Sequence, residues 1–200
     1  MVRPALTPPD SAILKFCPHC ASPLIRHEVG GELRRHWICP RCSKIHIDHP
    51  MIVTNCFVAC GKRLLWVQRA IAPRRGLWAI PGGFLENGER LEDGAVREVR
   101  EEAGVMLEQD RLRFYMVGTL VSFSQVYFAY VTRVGSEHCS PGPESMACGF
   151  FARDEVPWDE VAYPEVNEHI LQAYDDLESG RFGLWETELG QRGLRRVRIG

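Results

Sequence analysis

Three glutamates, Glu98, Glu101 and Glu102, sit in the run Arg97-Glu98-Val99-Arg100-Glu101-Glu102-Ala103-Gly104-Val105. On a helix, the spacing i, i+3, i+4 places them on one face, so their carboxylates converge and repel by roughly 0.2–0.5 kcal/mol per pair. Two chemistries fit. One is a solvated acidic edge paired with Arg97 and Arg100. The other is a seat for a hard cation, because clustered carboxylate oxygens suit Mg2+ or Mn2+. Just upstream stand the tight turn Pro81-Gly82-Gly83, a loop with Asn87-Gly88, and Glu89. A glycine turn lets the backbone approach a ligand and offers a carbonyl to a metal.

A second cluster is made of cysteine. Cys17-Pro18-His19-Cys20 is followed, after residues 21 to 38, by Cys39-Pro40-Arg41-Cys42. Two CxxC knuckles at that separation match the spacing of a four-thiolate zinc site. Each knuckle aims two sulfurs at one point, and two knuckles complete a closed tetrahedron, so the zinc is structural. A redox CxxC pair or two disulfides are the alternatives. His19, His46 and His49 lie nearby as competing ligands, but four cysteines suffice.

Composition narrows the classes. The chain has 200 residues, 45% hydrophobic and 25% charged, with a formal net charge of −2. That is the profile of a soluble globular chain, long enough for one ordinary domain plus a small module. The charge leaves no general nucleic-acid footprint, so nucleic acid is not an expected partner. An acidic helix that faces phosphates requires a bridging cation. No apolar run approaches the roughly 18 residues of a membrane span. The opening MVRPALTPPDSAILKF lacks the apolar core of a secretory signal. A cytoplasmic location is expected, where eight cysteines favour metal binding over disulfides.

The elements that must position these groups follow from periodicity. Leu91, Ala95, Val99 and Ala103 recur every four residues and predict a helix with one core-facing stripe, ending near Gly104. Strands are predicted over Leu24–Val29 and Leu33–Ile38, joined at Gly30-Gly31, and over Pro50–Ala59, Arg63–Arg69, Arg113–Leu120, Gln125–Arg133 and Gly149–Arg153. A second helix is predicted over Val166–Leu177, with Ile170, Ala173, Tyr174 and Leu177 on one face. The basic loop Pro73-Arg74-Arg75-Gly76 precedes the glycine turn, which makes Arg74 and Arg75 candidates for holding a diphosphate. The tail from Arg181, with Arg192, Arg195, Arg196 and Arg198, is expected to be a mobile solvated end.

From Gly83 to Val105 the sequence resembles the Nudix box, G-x5-E-x7-R-E-hydrophobic-x-E-E-x-G-hydrophobic, at every specified position. The resemblance implies an α/β/α sandwich with a mixed sheet, preceded by the small zinc ribbon. It implies a small-molecule nucleotide substrate and Mg2+-dependent attack of water on its diphosphate. Glu98 and Glu102 are then metal ligands, Glu101 a third or water-mediated one, and the Gly82 carbonyl a backbone ligand. Glu89 falls in the outer shell, with Arg97 orienting a glutamate. The order of ribbon and box resembles two branches of that family. The NADH pyrophosphatase and NAD-decapping branch carries a SQPWPFP signature; this chain has Ser122-Phe123-Ser124-Gln125-Val126-Tyr127 instead, read as a strand without that signature. The FAD and ADP-ribose pyrophosphatase branch, typified by a plant chloroplast enzyme and its bacterial relatives, fits better, and suggests a homodimer. One departure stands out: Ala147 and Gly149 occupy positions where a glutamate and an arginine are expected, and Glu144 is the candidate substitute. A sanitiser of damaged nucleoside triphosphates and a non-catalytic ligand-sensing regulator are the other readings. The expected domains are a lead-in (1–15), the ribbon (16–48), the Nudix hydrolase domain (49–178) and the tail (179–200).

Overall fold

The computed structural model describes residues 14–28, 35–47, 49–190 and 193–200. The chain divides into two compact units, the first ending at Pro50 and the second running from Met51 to Gly200.

In the first unit, strands β1 (Ile25–Glu28), β2 (Arg35–Ile38) and β3 (Ile45–His46) form a small antiparallel sheet. The turn expected at Gly30-Gly31, the lead-in up to residue 13 and Arg192 lie outside the described residues. Both knuckles turn the same way. Ala21 and Ser43, each following the second cysteine of its pair, take left-handed φ values of 56° and 58°. Their amides donate back to the carbonyls of Cys17 and Cys39, each at 2.8 Å. Among the described residues of this unit, the buried apolar side chains are Leu24, Cys17 and Cys39. So small a core cannot hold a fold alone.

The second unit is built on one mixed sheet. Its strands are β4 (Met51–Cys60), β5 (Arg63–Arg69), β6 (Trp78–Ala79), β7 (Gly82–Phe84), β8 (Arg113–Leu120), β9 (Gln125–Arg133), β10 (Ser145–Phe151), β11 (Trp185–Gly190) and β12 (Gly193–Arg198). The order is β10-β5-β4-β9-β8-β11-β12, with β6 on β5 and β7 on β4. The pairs β4–β9 and β8–β11 are parallel and the rest antiparallel. Helix α1 (Leu91–Ala103) covers one face and α2 (Asn167–Ser179) the other.

Period-two alternation explains the two layers. Phe57, Ala59, Leu64 and Trp66 point into the core beneath α2, with Ile170, Ala173, Tyr174 and Leu177 of that helix. Cys56, Val58, Leu65 and Val67 point to the opposite face and meet Ala95, Val99 and Ala103 of α1, all fully buried. Each such large side chain contributes about 1.5–3 kcal/mol by leaving water. Gly104 ends α1 at φ 65°, its amide donating to the Arg100 carbonyl. The stripes of both helices are those that periodicity predicts, and α1 stops at Gly104 as expected, while α2 starts one residue later and ends two residues later than the Val166–Leu177 span.

Three expectations are corrected. The tail is not a solvated end over residues 185–198, because β11 runs parallel to β8 and β12 folds back on it. The strand expected to begin at Gly149 begins at Ser145, with a bulge between Ser145 and Ala147. Val121–Phe123 forms a 3-10 turn rather than the start of a strand, with Ser124 left-handed at φ 50°.

Candidate active site

The glycine turn reaches the sheet as β7, which pairs antiparallel to β4 through Thr54–Gly83 and Asn55–Gly82. Close approach is what the glycines permit. A Cβ on Gly83 would lie 2.6 Å from Glu98 Oε1, and one on Gly82 would lie 2.4 Å from Asn55 Cβ. The turn therefore passes between β4 and the face of α1 that carries the glutamates. At that face the amide of Gly82 donates to Glu102 Oε2 at 2.9 Å.

Arg97 is the clamp of the site. Its Nε and Nη2 donate to the two oxygens of Glu89 at 2.8 and 3.0 Å, a bidentate fork. Nη2 also reaches the Phe84 carbonyl at 3.1 Å, and Nη1 holds Glu98 Oε1 at 2.7 Å and Glu101 Oε2 at 3.2 Å. Glu89 in turn accepts the Glu86 amide, which ties the loop over Asn87-Gly88 to the helix. The Arg97 fork holds the Glu89 carboxyl below its ordinary range.

Glu98 and Glu102 behave oppositely. Burial raises both, and Glu102 is pushed up to about 7 despite the Gly82 amide and the positive charge of Arg69. Glu144 raises both as well, joined by Glu101 at Glu98 and by Glu98 at Glu102. Two carboxyls that resist ionisation when bare, side by side and sealed by a glycine turn, are a donor set suited to a divalent hard cation, which would neutralise them. Glu101 is more exposed than Glu98 and Glu102. Its side chain is half exposed and turned toward Arg97 and Arg100, and no three carboxylates among the described residues close as tightly as the cysteine sulfurs do.

One of the two basic candidates is engaged elsewhere. Arg74 does not face the site freely: it donates to Glu165 Oε1 at 2.9 Å and to the Ala162 carbonyl, and stacks over Tyr163. Arg75 is exposed. The cation acting on Glu102 is Arg69, whose Nε is fixed by the Pro73 carbonyl at 3.0 Å. Periodicity carried that signal, since Leu65, Val67 and Arg69 share one face of β5 and its apolar row ends in a charge. Glu144 is exposed, and its carbonyl accepts the Ala70 amide at 2.8 Å, at the same end of β5. The bulge after Ser145 sets Glu144 there, so its carboxylate acts on both Glu98 and Glu102. Of the aromatic side chains, Trp78, Tyr127 and Trp158 pack into the core, while Phe84 is 53% exposed and Phe123 half-buried.

In the first unit the four sulfurs of Cys17, Cys20, Cys39 and Cys42 lie within 4.8 Å of one another, with Cys17–Cys42 at 3.7 Å and Cys20–Cys39 at 3.4 Å. Zinc–sulfur bonds of about 2.3 Å in a tetrahedron require sulfurs roughly 3.8 Å apart. The cage has the right size and donor chemistry for that ion.

A mixed sheet between two helices, with clamped glutamates under a glycine turn, defines a scaffold for metal-assisted hydrolysis. The NUDIX domain model matches residues 49–177, and the chain belongs to the Nudix hydrolase family. A Nudix hydrolase structure from Nitrosomonas europaea superposes with a TM-score of 0.79 at 32% identity, covering 87% of this chain and 98% of that one. The NAD-capped RNA hydrolase NudC of Chromobacterium violaceum is 35% identical over 101 residues, 50% of this chain and 36% of that protein. The ADP-ribose pyrophosphatase of Methanocaldococcus jannaschii is 36% identical over 58 residues, 29% of this chain and 34% of that protein. The chain thus spans about a third of the length of these two curated relatives. No helix among the described residues is long and apolar enough to cross a membrane.

Proposed function

We propose that the chain is a Mg2+- or Mn2+-dependent pyrophosphohydrolase of nucleoside diphosphate derivatives, acting on ADP-ribose and FAD and releasing AMP. The observation that carries this reading is the pair of buried Glu102 and partly buried Glu98 facing the Gly82-Gly83 turn. A divalent ion held there supplies neutralisation of phosphate oxygens and a water acidified for attack. Glu98, Glu102 and the Gly82 carbonyl are the proposed ligands, with Glu101 able to join by rotating its exposed side chain. Arg97 holds Glu89 and Glu98 in place, so the ligands need no reordering as the reaction proceeds. Arg69 and the exposed Arg75 take the substrate's phosphate oxygens, the role that Arg74 gives up to Glu165. Glu101 and Glu144 are the carboxylates available to take the water's proton. The cysteine cage is proposed to hold one structural Zn2+.

A second reading, removal of the NAD cap from RNA, is favoured by the 35% identity to a NudC enzyme. Incubating the full chain and Mg2+ with ADP-ribose, FAD, NADH, 8-oxo-dGTP and NAD-capped RNA separates the readings. AMP from ADP-ribose or FAD, lost by orders of magnitude in Glu98→Gln, supports the first. Turnover of capped RNA alone supports the second. If wild type and Glu98→Gln gave identical traces on every substrate, the site would be misassigned.

A further inference from the structure

Arg74 takes no part in the carboxylate site, yet its surroundings are closely fixed. Its backbone is left-handed at φ 64°, a region that residues with a side chain rarely occupy. Such a conformation persists where surrounding contacts impose it, and it clusters at functional sites. Here the contacts come from residues 162–165, just before α2. The Arg74 guanidinium donates to the Ala162 carbonyl and to Glu165, at 2.9 Å to Oε1 and 3.3 Å to Oε2. It also lies over the Tyr163 ring, 5.0 Å from its centroid. The segment is anchored to the sheet, because the Ala162 amide donates to the Trp78 carbonyl at 2.7 Å. A second guanidinium meets the same ring: Arg69 lies 5.7 Å from the Tyr163 centroid. The Pro73 carbonyl takes its Nε, and its backbone pairs with Leu77 and Gly76 across the loop. Its terminal nitrogens have no hydrogen-bond or ion-pair partner among the described residues. Glu165 thus neutralises Arg74, while Arg69 is held in place with donors to spare. Arg69 sits where β5 ends, next to Ala70, whose amide donates to the Glu144 carbonyl.

We propose that Tyr163 is a positioning residue: its ring, fixed through Arg74 and Glu165, aims the terminal nitrogens of Arg69 at the substrate's diphosphate. The proposal rests on the pyrophosphohydrolase reading, and it gives Arg74 the task of holding the ring in place of a phosphate contact. A guanidinium over an aromatic face keeps its in-plane N–H groups available for a bidentate fork to phosphate oxygens. An unrestrained arginine side chain loses rotamer freedom when it binds, whereas Arg69, held at Nε and against the ring, has already lost it. Phosphate oxygens are charged in the ground state and the transition state alike, so this contact strengthens binding and leaves the chemical step nearly unchanged.

The test uses the full chain with Mg2+ and two probes: turnover of ADP-ribose, and binding of inorganic pyrophosphate by calorimetry, which needs no hydrolysis. Tyr163→Leu should raise both KM and the pyrophosphate Kd by about three- to tenfold, with kcat within about twofold of wild type. Tyr163→Phe keeps the ring and should restore both constants. In an Arg69→Ala background, Tyr163→Leu should add no further loss. In the wild-type chain, arginine side-chain NMR should show a resolved Arg69 Nε–H signal that pyrophosphate shifts, a measurement independent of how any variant folds. If ADP-ribose is not turned over but the pyrophosphate pattern holds, the substrate reading falls and the positioning role stands. The positioning role is overturned if Tyr163→Phe binds as weakly as Tyr163→Leu, if the losses of Tyr163→Leu and Arg69→Ala add, or if pyrophosphate leaves the Arg69 signal unmoved.

Discussion

Glu102 should hold its own domain back from maximal stability when no metal is bound. Its carboxyl is 7% exposed, and burial, partly offset by the Gly82 amide and reinforced by Glu98, raises it from 4.5 to about 7. A carboxyl raised by folding is one the fold prefers to keep protonated. The penalty is absent below about pH 4.5, grows as pH rises toward 7, and is fully present above that. The rise corresponds to on the order of 3 kcal/mol, shared with Glu98 because the two titrate together. Glu102→Gln keeps an oxygen to accept the Gly82 amide and removes the ionisable group. Without added magnesium, it should therefore match wild type at pH 4 and exceed it by on the order of 1–3 kcal/mol at pH 8. Urea denaturation at both pH values, followed by tryptophan fluorescence, reads the difference. The same variant should lose turnover by orders of magnitude with Mg2+ present. Equal or lower stability at pH 8 would refute the claim that these carboxylates are held under electrostatic stress.

Other perturbations test the frame around that pair. Arg97→Lys breaks the fork to Glu89 and the bond to the Phe84 carbonyl, leaving two partly buried carboxylates under-compensated. It should cost about 2–4 kcal/mol in chemical denaturation and lower kcat. Gly83→Ala forces a methyl within 2.6 Å of Glu98 Oε1, and the flexible side chain must yield. Mn2+ affinity, read by electron paramagnetic resonance, should fall while the melting temperature moves by only a few degrees, on the order of 1 kcal/mol. Cys39→Ser opens the four-sulfur cage at its fully buried corner. The purified variant should contain no zinc by elemental analysis and should show fast hydrogen exchange in β1 and β2, with exchange in β4 and β9 unchanged.

Much of this was legible in the linear chain because it rests on local repetition. The four-residue stripe of α1, its stop at Gly104, and the alternation of Arg63–Arg69 and Gln125–Arg133 each reflect one element burying one face. The tail was not legible. Trp185–Gly190 reads as a charged segment, and it is a strand because the edge of β8, far back in sequence, offers a parallel partner. The partner of Arg74 was hidden for a similar reason: Glu165 lies 91 positions away and takes the same guanidinium. The glutamate spacing put three carboxylates on one face of α1, but it could not show that Glu101 would lean toward Arg100 while Glu98 and Glu102 lay beneath the glycine turn.

Asp176, near the end of α2, accepts hydrogen bonds from Tyr115, Gln172, Gly183 and Trp185, though it is 6% exposed. Two of those donors belong to the stretch that leads into β11. A fragment cut at residue 177, where the family match stops, would strand an anion in the interior and uncover the flank of β8 to passing chains. Anyone preparing a minimal catalytic piece should carry it through Arg198, and should expect inclusion bodies from the shorter version.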